Sequence, residues 1–335
     1  MEGLLDWLMR DVLTGVGGMD LCVTEFIRVS GSVLPRRSFH RVAPELLKGS
    51  RTPAGVPVRV QLLGSDPEYM ALNAQRLATM APAAIDLNFG CPAKTVNRHH
   101  GGASLLRDPE LLHRVVLAVR GAVPAPCLVT AKMRLGYEDK NRAVECALAI
   151  AAGGAGELVV HARTKAEGYR PPAYWDWIGR INEAVAIPVV ANGEVWTLAD
   201  YRRCRQESGV EDVMLGRGMV ANPSLAHMIR EGRETPMPWT EVLPLLRKYW
   251  SLVGEHKAPK YRCGRMKQWL NYLRMTYAEA DTLFTRIRPV NDSQELERLL
   301  FSVASESMQR PLPAAHHGGG DAVAKDIGGA PSHVQ

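Results

Sequence analysis

Through the first two-thirds of the chain, short runs of β-branched and apolar residues alternate with longer stretches whose apolar positions recur every three or four residues. The short runs read as strands at 20–24, 58–62, 84–88, 128–133, 158–161, 189–191 and 212–215. Between them the spacing predicts helices over 68–79, 109–120, 141–152, 174–184, 198–206 and 223–231. Regular strand–helix alternation implies a parallel sheet flanked by helices. At or just beyond the strand ends stand Gln61, Asn88, Lys132, His161, Asn192 and Arg217. A (β/α)8 TIM barrel gathers all such ends on one face, where its active site lies; an open doubly wound sheet does not. Only seven strands are counted, and 2–13 already reads as loop and helix. The expectation is therefore a (β/α)8 TIM barrel lacking its first strand at the N-terminus, with two exposed edges.

Near Met237 the alternation stops. Thr240 caps a helical pattern of Leu243, Leu246 and Tyr249, and helices are expected over 260–276, 277–284 and 293–305. This divides the chain into a barrel domain at 1–238, a small helical bundle at 239–308 and a tail at 309–335, whose Gly, Ala and Pro content predicts disorder. Between Arg247 and Arg274, eight basic residues face one acid, Glu255, with Tyr261, Trp269 and Tyr272 interleaved. Charge runs usually coat a solvated helix face, but this ratio supports a nucleic-acid surface at least equally well.

Composition changes the picture little. At 46% hydrophobic and 23% charged residues the chain reads as globular, and no apolar run is long enough to span a membrane. The acidic start MEGLLD is unlike an export signal. Six cysteines without a CxxC pair fit neither a zinc site nor a disulfide framework, so free thiols in a reducing cytoplasm, and no metal, are expected. A net charge of +6 mildly favours a polyanionic partner. The GVGG at 15–18 lacks GxGxxG spacing and reads as a helix-ending loop.

The richest chemistry lies in 84–106. A strand is broken at Gly90 and Pro92, which holds Cys91 on a stiff turn at the strand's carboxyl end. Lys94, Arg98, His99 and His100 follow, then Gly101-Gly102. Most lone cysteines are small buried hydrophobes. A strand-end turn followed by a cationic run better suits a reactive thiol.

Taken in order, the segments MEG at 1–3, TEF at 24–26, VQL at 60–62, NFGCP at 88–92, the following GGASLL, KMR at 132–134, HART at 161–164, NGE at 192–194 and GRG at 216–218 resemble the tRNA-dihydrouridine synthase family. MEG, TEF and the KQWLNYLR at 267–274 look most like its bacterial branch acting on uridine 16 of the D-loop. The resemblance implies FMN at the top of the barrel. Gln61 and Lys132 would contact its ring, the lysine countering the negative charge of the reduced flavin. His161, Asn192, Gly193 and Glu194 would hold the ring edge, ribityl chain and phosphate, and Gly216 and Arg217 the phosphate. Met1 and Glu2 would add contacts from a loop that, in the family, continues from the first strand.

NADPH, or NADH, is implied as electron donor, although no nicotinamide-binding motif is visible. The implied reaction delivers hydride to C6 and a proton from Cys91 to C5 of a flipped-out uracil in tRNA. Asn88 would read the uracil edge and Tyr169 would stack on or orient the nucleotide. Arg28, Arg265, Lys267, Asn271, Arg274 and Arg288 would contact tRNA. A cytoplasmic monomer with no membrane partner is expected. Two alternatives stay open: another FMN barrel reductase acting on a small molecule, and a tRNA-binding protein whose barrel no longer holds FMN.

Overall fold

The computed structural model describes residues 3–98 and 100–306. The expectations for Met1, Glu2, His99 and the 309–335 tail lie outside the described residues. Six strands, β3 (Val58–Leu63), β4 (Ile85–Phe89), β5 (Val129–Arg134), β6 (Leu158–His161), β7 (Val189–Asn192) and β8 (Val213–Met214), pair side by side, in parallel and in chain order. Before them β1 (Cys22–Val23) and β2 (Ile27–Arg28) both pair with β3, one near each end: Cys22 lies opposite Val58 and Arg28 opposite Leu63. They are two pieces of one strand position. Between them the Thr24 hydroxyl accepts the Gln61 N–H at 3.0 Å, so a side chain stands in for the ladder. The sheet is thus a barrel wall of seven positions, and among the described residues β8 and β1 form its two ends.

Helices lie outside the wall and start where their caps dictate. Asp66 caps α3 (Pro67–Ala78) and Asp108 caps α5 (Pro109–Ala122), each with Pro in the first turn. Thr197 and Asp200 form a reciprocal capping box on α8 (Leu198–Ser208). With α6 (Ala143–Ala152), α7 (Trp175–Ala184) and α10 (Leu225–Glu231), every helix expected in this region is present, its ends within two residues of the prediction. The strands are buried on both faces, as parallel strands under helices must be: Val60, Leu62, Ile85, Leu87, Phe89, Ala131 and Val160 belong to one continuous core.

A second core joins α11 (Trp239–His256), α12 (Pro259–Leu273), α13 (Ala278–Ile287) and α14 (Ser293–Glu306) around Leu246, Tyr249, Trp250, Met266 and Trp269. It also takes in Leu8, Met9 and Val12 of α1 (Trp7–Val16) and Val220 of α9 (Arg217–Ala221). Trp269 donates its indole N–H to the Val220 carbonyl at 3.1 Å. Asp6, the N-cap of α1, pairs with Arg265 at 2.9 Å and with Lys257 at 3.3 Å. The helical region is therefore fastened to the segments that precede β1 and follow β8. No helix among the described residues is long and apolar enough to cross a membrane.

Candidate active site

Cys91 sits at the carboxyl end of β4 on a turn fixed from several directions. The Gly90 N–H donates to Asn88 Oδ1 at 2.9 Å, and the Gly90 carbonyl accepts from Arg134 Nε at 2.9 Å. The Cys91 carbonyl accepts from Asn97 Nδ2 at 2.9 Å and from the Ala103 N–H at 3.1 Å. Gly102 adopts φ +61°, and a Cβ there would meet that same carbonyl at 2.8 Å, so a glycine is needed at 102 to let the following segment close over the turn. Cys91 packs beside Leu63, Val96, Phe26 and Ala93 and keeps 8% of its surface exposed.

Across the mouth, Lys132 donates from Nζ to Asn192 Oδ1 at 2.8 Å, and Asn192 Nδ2 is held by the Met214 carbonyl at 2.8 Å. Burial, helped by the Arg134 charge, pulls the Lys132 ammonium down to about 7. His161 is buried as well. That burial and the cations of Arg134, Lys132, Arg163 and Arg217 hold its pKa well below the usual imidazole value, so it is neutral near pH 7. Its Nδ1 is buried without a hydrogen-bond partner. Gly193, at φ +118°, lies against the imidazole: a Cβ there would come within 3.4 Å of Nε2.

Beside this ring Glu194 bridges two arginines, accepting from Arg163 Nη1 at 2.9 Å and Arg217 Nη2 at 2.8 Å, while Trp196 Nε1 reaches its other oxygen at 3.2 Å. Burial works to raise the Glu194 pKa but is outweighed by Arg163, Trp196 and Arg217, which bring it below the usual carboxylate range. Glu194 can only accept, so its carboxylate holds Arg217 and leaves that guanidinium's remaining donors to face an anion. Gly218 serves packing: a Cβ would lie 2.3 Å from the Val195 carbonyl. Tyr169, half exposed, stands on the rim with its ring 4.4 Å from the Arg217 guanidinium and 5.2 Å from that of Arg134. Its ring meets His161 edge-on at 6.1 Å.

The mouth therefore brings together Gln61, Asn88, Cys91, Lys132, His161, Asn192, Gly193, Glu194 and Arg217, with Tyr169 at the rim. The basic candidates form a separate group. Lys267 and Asn271 of α12 and Arg274, its C-cap, follow one side of the helix, flanking the buried Met266, Trp269 and Leu273. Arg274 pairs with Asp281 at 2.6 Å, and Lys267 reaches Asn291 Oδ1 at 3.0 Å. Arg288 caps the end of α13 in solvent, and Arg28 is exposed and donates to the Thr95 carbonyl at 3.0 Å. Arg265 points inward, paired with Asp6 and donating to the Gly3 carbonyl. Tyr272 of α12 lies on the side towards the mouth: burial raises its phenol pKa, and the nearby Arg217 charge opposes that rise.

Sequence reasoning missed four supporting residues: Asp86, Arg134, Arg163 and Trp196. Asp86 had a readable signal, a charge inside an otherwise apolar run two residues before Asn88; Arg163, two residues after His161 and followed by Thr164 and Lys165, had no such contrast. Nothing local marks Trp196, which bonds to Glu194 and lies with its ring 5.1 Å from the Arg217 guanidinium.

The dihydrouridine synthase (Dus) family matches residues 1–307. The chain belongs to the dihydrouridine synthase family. It is 57% identical over 304 residues to the tRNA-dihydrouridine(16) synthase of Aquipseudomonas alcaligenes, covering 90% of this chain and 96% of that one. It is 55% identical over 303 residues to the enzyme of that name from Cupriavidus necator, covering 90% and 94%. Among solved structures, histamine dehydrogenase from Rhizobium sp. 4-9 superposes with a TM-score of 0.51 at 16% identity, over 74% of this chain and 47% of that one. That likeness shows a shared barrel fold.

Proposed function

We propose that this chain is an FMN-dependent tRNA-dihydrouridine synthase that reduces uridine 16 in the D-loop, acting as a monomer in the cytoplasm with NADPH or NADH as donor. Family membership supports the chemistry. The single observation that carries the site is the Cys91 turn, pinned at Gly90 and Cys91, opening onto the same mouth as Lys132, His161 and the Glu194–Arg217 pair.

The residues present fit FMN. A buried His161 Nδ1 and a buried Arg163 Nη2 without partners, a lysine whose bond is to a single amide, and a glycine at φ +118° beside the imidazole are features of a cradle built for a polar ring and an anionic tail. Gln61, Lys132 and His161 would hold the ring. Asn192 would orient Lys132, and Gly193 would let the backbone come close. Gly216 and Arg217 would take the phosphate, with Glu194 holding Arg217. When bound and reduced by the nicotinamide donor, FMN would supply the hydride for C6 of the uracil.

Cys91 Sγ gives its proton to C5, which completes saturation of the C5=C6 bond; an ordinary thiol is mostly protonated at neutral pH and so can serve as an acid. Lys132 supplies positive charge beside the ring when protonated. Asn88 meets the pyrimidine edge and Tyr169 steadies the extruded nucleotide. Arg28, Lys267, Asn271, Arg274 and Arg288 would hold tRNA, with Arg265 at the root of that surface, by shape and charge.

The test is Cys91→Ala. FMN should stay bound and reducible while dihydrouridine in tRNA falls by a hundredfold or more. Undiminished product would rule out the thiol's role. Mapping dihydrouridine in tRNA from a strain without the gene checks the position: loss at 16 is expected, and loss elsewhere instead would overturn the assignment.

A further inference from the structure

Inside the barrel, Asp86 of β4 is fully buried, and its two carboxylate oxygens are taken by two different neighbours. Thr130 Oγ1 donates to Oδ1 at 2.6 Å and Gln61 Nε2 donates to Oδ2 at 2.7 Å. Gln61 Oε1 in turn accepts from Asn88 Nδ2 at 2.7 Å, and Asn88 Oδ1 accepts from the Gly90 N–H at 2.9 Å. The bonds form one chain from the barrel interior to the turn that carries Cys91.

The direction of every amide in this chain is forced by its ends. A backbone N–H can only donate, so Asn88 must offer Oδ1 to Gly90 and Nδ2 to Gln61. Gln61 must then offer Oε1 to Asn88, which turns Nε2 inward, where it needs an acceptor. Asp86 supplies it. Burial pushes the Asp86 carboxyl pKa up. Even if a proton settles on Oδ1 against Thr130, Oδ2 still accepts from Gln61. Once the chain is closed, the Asn88 amide cannot turn over: Gly90 occupies one lone pair of Oδ1, Gln61 takes one N–H, and the second N–H is the one donor the side chain keeps for a ligand.

We propose that Asp86 is a positioning residue that sets base selection: acting through Gln61, it makes Asn88 present an N–H donor, which fits the O4 carbonyl of uracil and opposes the N4 amine of cytosine. The inference rests on the reading of Asn88 as the residue that faces the base. Set against the N4 amine, the Asn88 N–H finds no acceptor, and the hydrogen bond it makes to O4 of uracil is lost.

The first test needs no flavin and no turnover. In the 15N-labelled apo-protein, the side-chain amide signals of Gln61, whose Nε2 faces the buried Asp86, should be slow to exchange with solvent. Asp86→Val, which keeps a strand-favouring side chain but removes the acceptor, should speed that exchange by tenfold or more. Asp86→Asn can still offer Oδ1 to Gln61 and should restore the slow exchange. Equal protection in all three proteins would overturn the proposal.

The second test uses D-loop transcripts with uridine or cytidine at the target position, read by mass. Asp86→Val should lose tenfold or more in kcat/KM on uridine per bound FMN, with Asp86→Asn largely restored. Asn88→Asp replaces the free N–H by an oxygen at constant size and should shift the cytidine-to-uridine ratio tenfold or more towards cytidine; an unchanged ratio would overturn the proposal even if Asp86→Val fails to fold. If the wild type does not reduce uridine at all, the proposed function fails, and the exchange measurement alone decides the role of Asp86.

Discussion

Two charged side chains at the mouth carry separable consequences. An unfolded lysine keeps its proton to about pH 10.5, whereas buried Lys132 gives it up near 7. Between those values the unfolded chain binds one proton more than the folded one, so folded stability should rise with pH through that window, by on the order of 3–5 kcal/mol from this group. In the apo-protein, the denaturation midpoint of the wild type should climb from pH 7 to 10 relative to Lys132→Met, which should also bind FMN more weakly. Parallel curves for the two proteins would show that Lys132 is not the group released. Glu194 presents the opposite case. It is the carboxylate partner of Arg163, a side chain with no exposure. Glu194→Gln leaves that guanidinium buried without its counter-charge, at a cost of roughly 3 kcal/mol, and frees Arg217 from its position. A melt of the apo-protein should show the loss, and an unchanged midpoint would mean that the arginine finds other compensation.

At the scale of elements, the short Asp6 segment ties the N-terminal helix to the helical region by two mechanisms that a pair of substitutions separates. Asp6 Oδ1 caps α1 by accepting from the Met9 N–H at 3.2 Å, while Oδ2 pairs with Arg265 and Lys257. Asparagine caps about as well as aspartate, so Asp6→Asn should lose only the ion pairs, and Asp6→Ala should lose about 1 kcal/mol more. Chemical denaturation of the three proteins checks this; equal losses would remove the cap from the account. The same segment shows where sequence reading stops. The barrel strands were legible because each is a β-branched run between turn signals, and the helix starts were legible because Asp66, Asp108 and Thr197 cap them. That Leu8, Met9 and Val12 share a core with Trp269 was not legible. Their amphipathic spacing identifies a helix with one apolar face and says nothing about which distant partner covers it. β2 escaped for a related reason: it has two residues, and its pairing depends on a Thr24 side chain occupying the ladder between the two pieces.

At the scale of the whole molecule, two features of different legibility meet. The mouth residues could be placed from sequence because barrel topology sends every strand end to one face. The electrostatic surface could be anticipated only as a count of charges. The structure sorts that count. Arg265 is turned in towards Asp6, whereas Lys267, Asn271 and Arg274 line up on the outer face of α12, whose Tyr272 lies within the influence of Arg217 and Tyr169. A long polyanion bound along that face would reach the mouth at the end where Tyr169 stands. If it does, each phosphate contact releases counterions, and affinity falls with salt in proportion to the number of contacts. Lys267→Ala with Arg274→Ala should weaken tRNA binding and reduce the slope of log affinity against log salt by roughly one to two units. Arg274 is paired with Asp281, so part of its charge is already balanced and the lower figure is the safer expectation. Arg36 and Arg37 provide the control: they are exposed and equally charged, and Arg36 bonds to Thr79 at the end of α3 remote from the mouth, so their alanine variants should leave the slope unchanged. Filter binding of unmodified tRNA between low and physiological salt measures both. If the two pairs of variants lower the slope equally, charge count rather than the α12 face governs binding, and the tRNA path drawn across Tyr272 to the mouth would have to be abandoned.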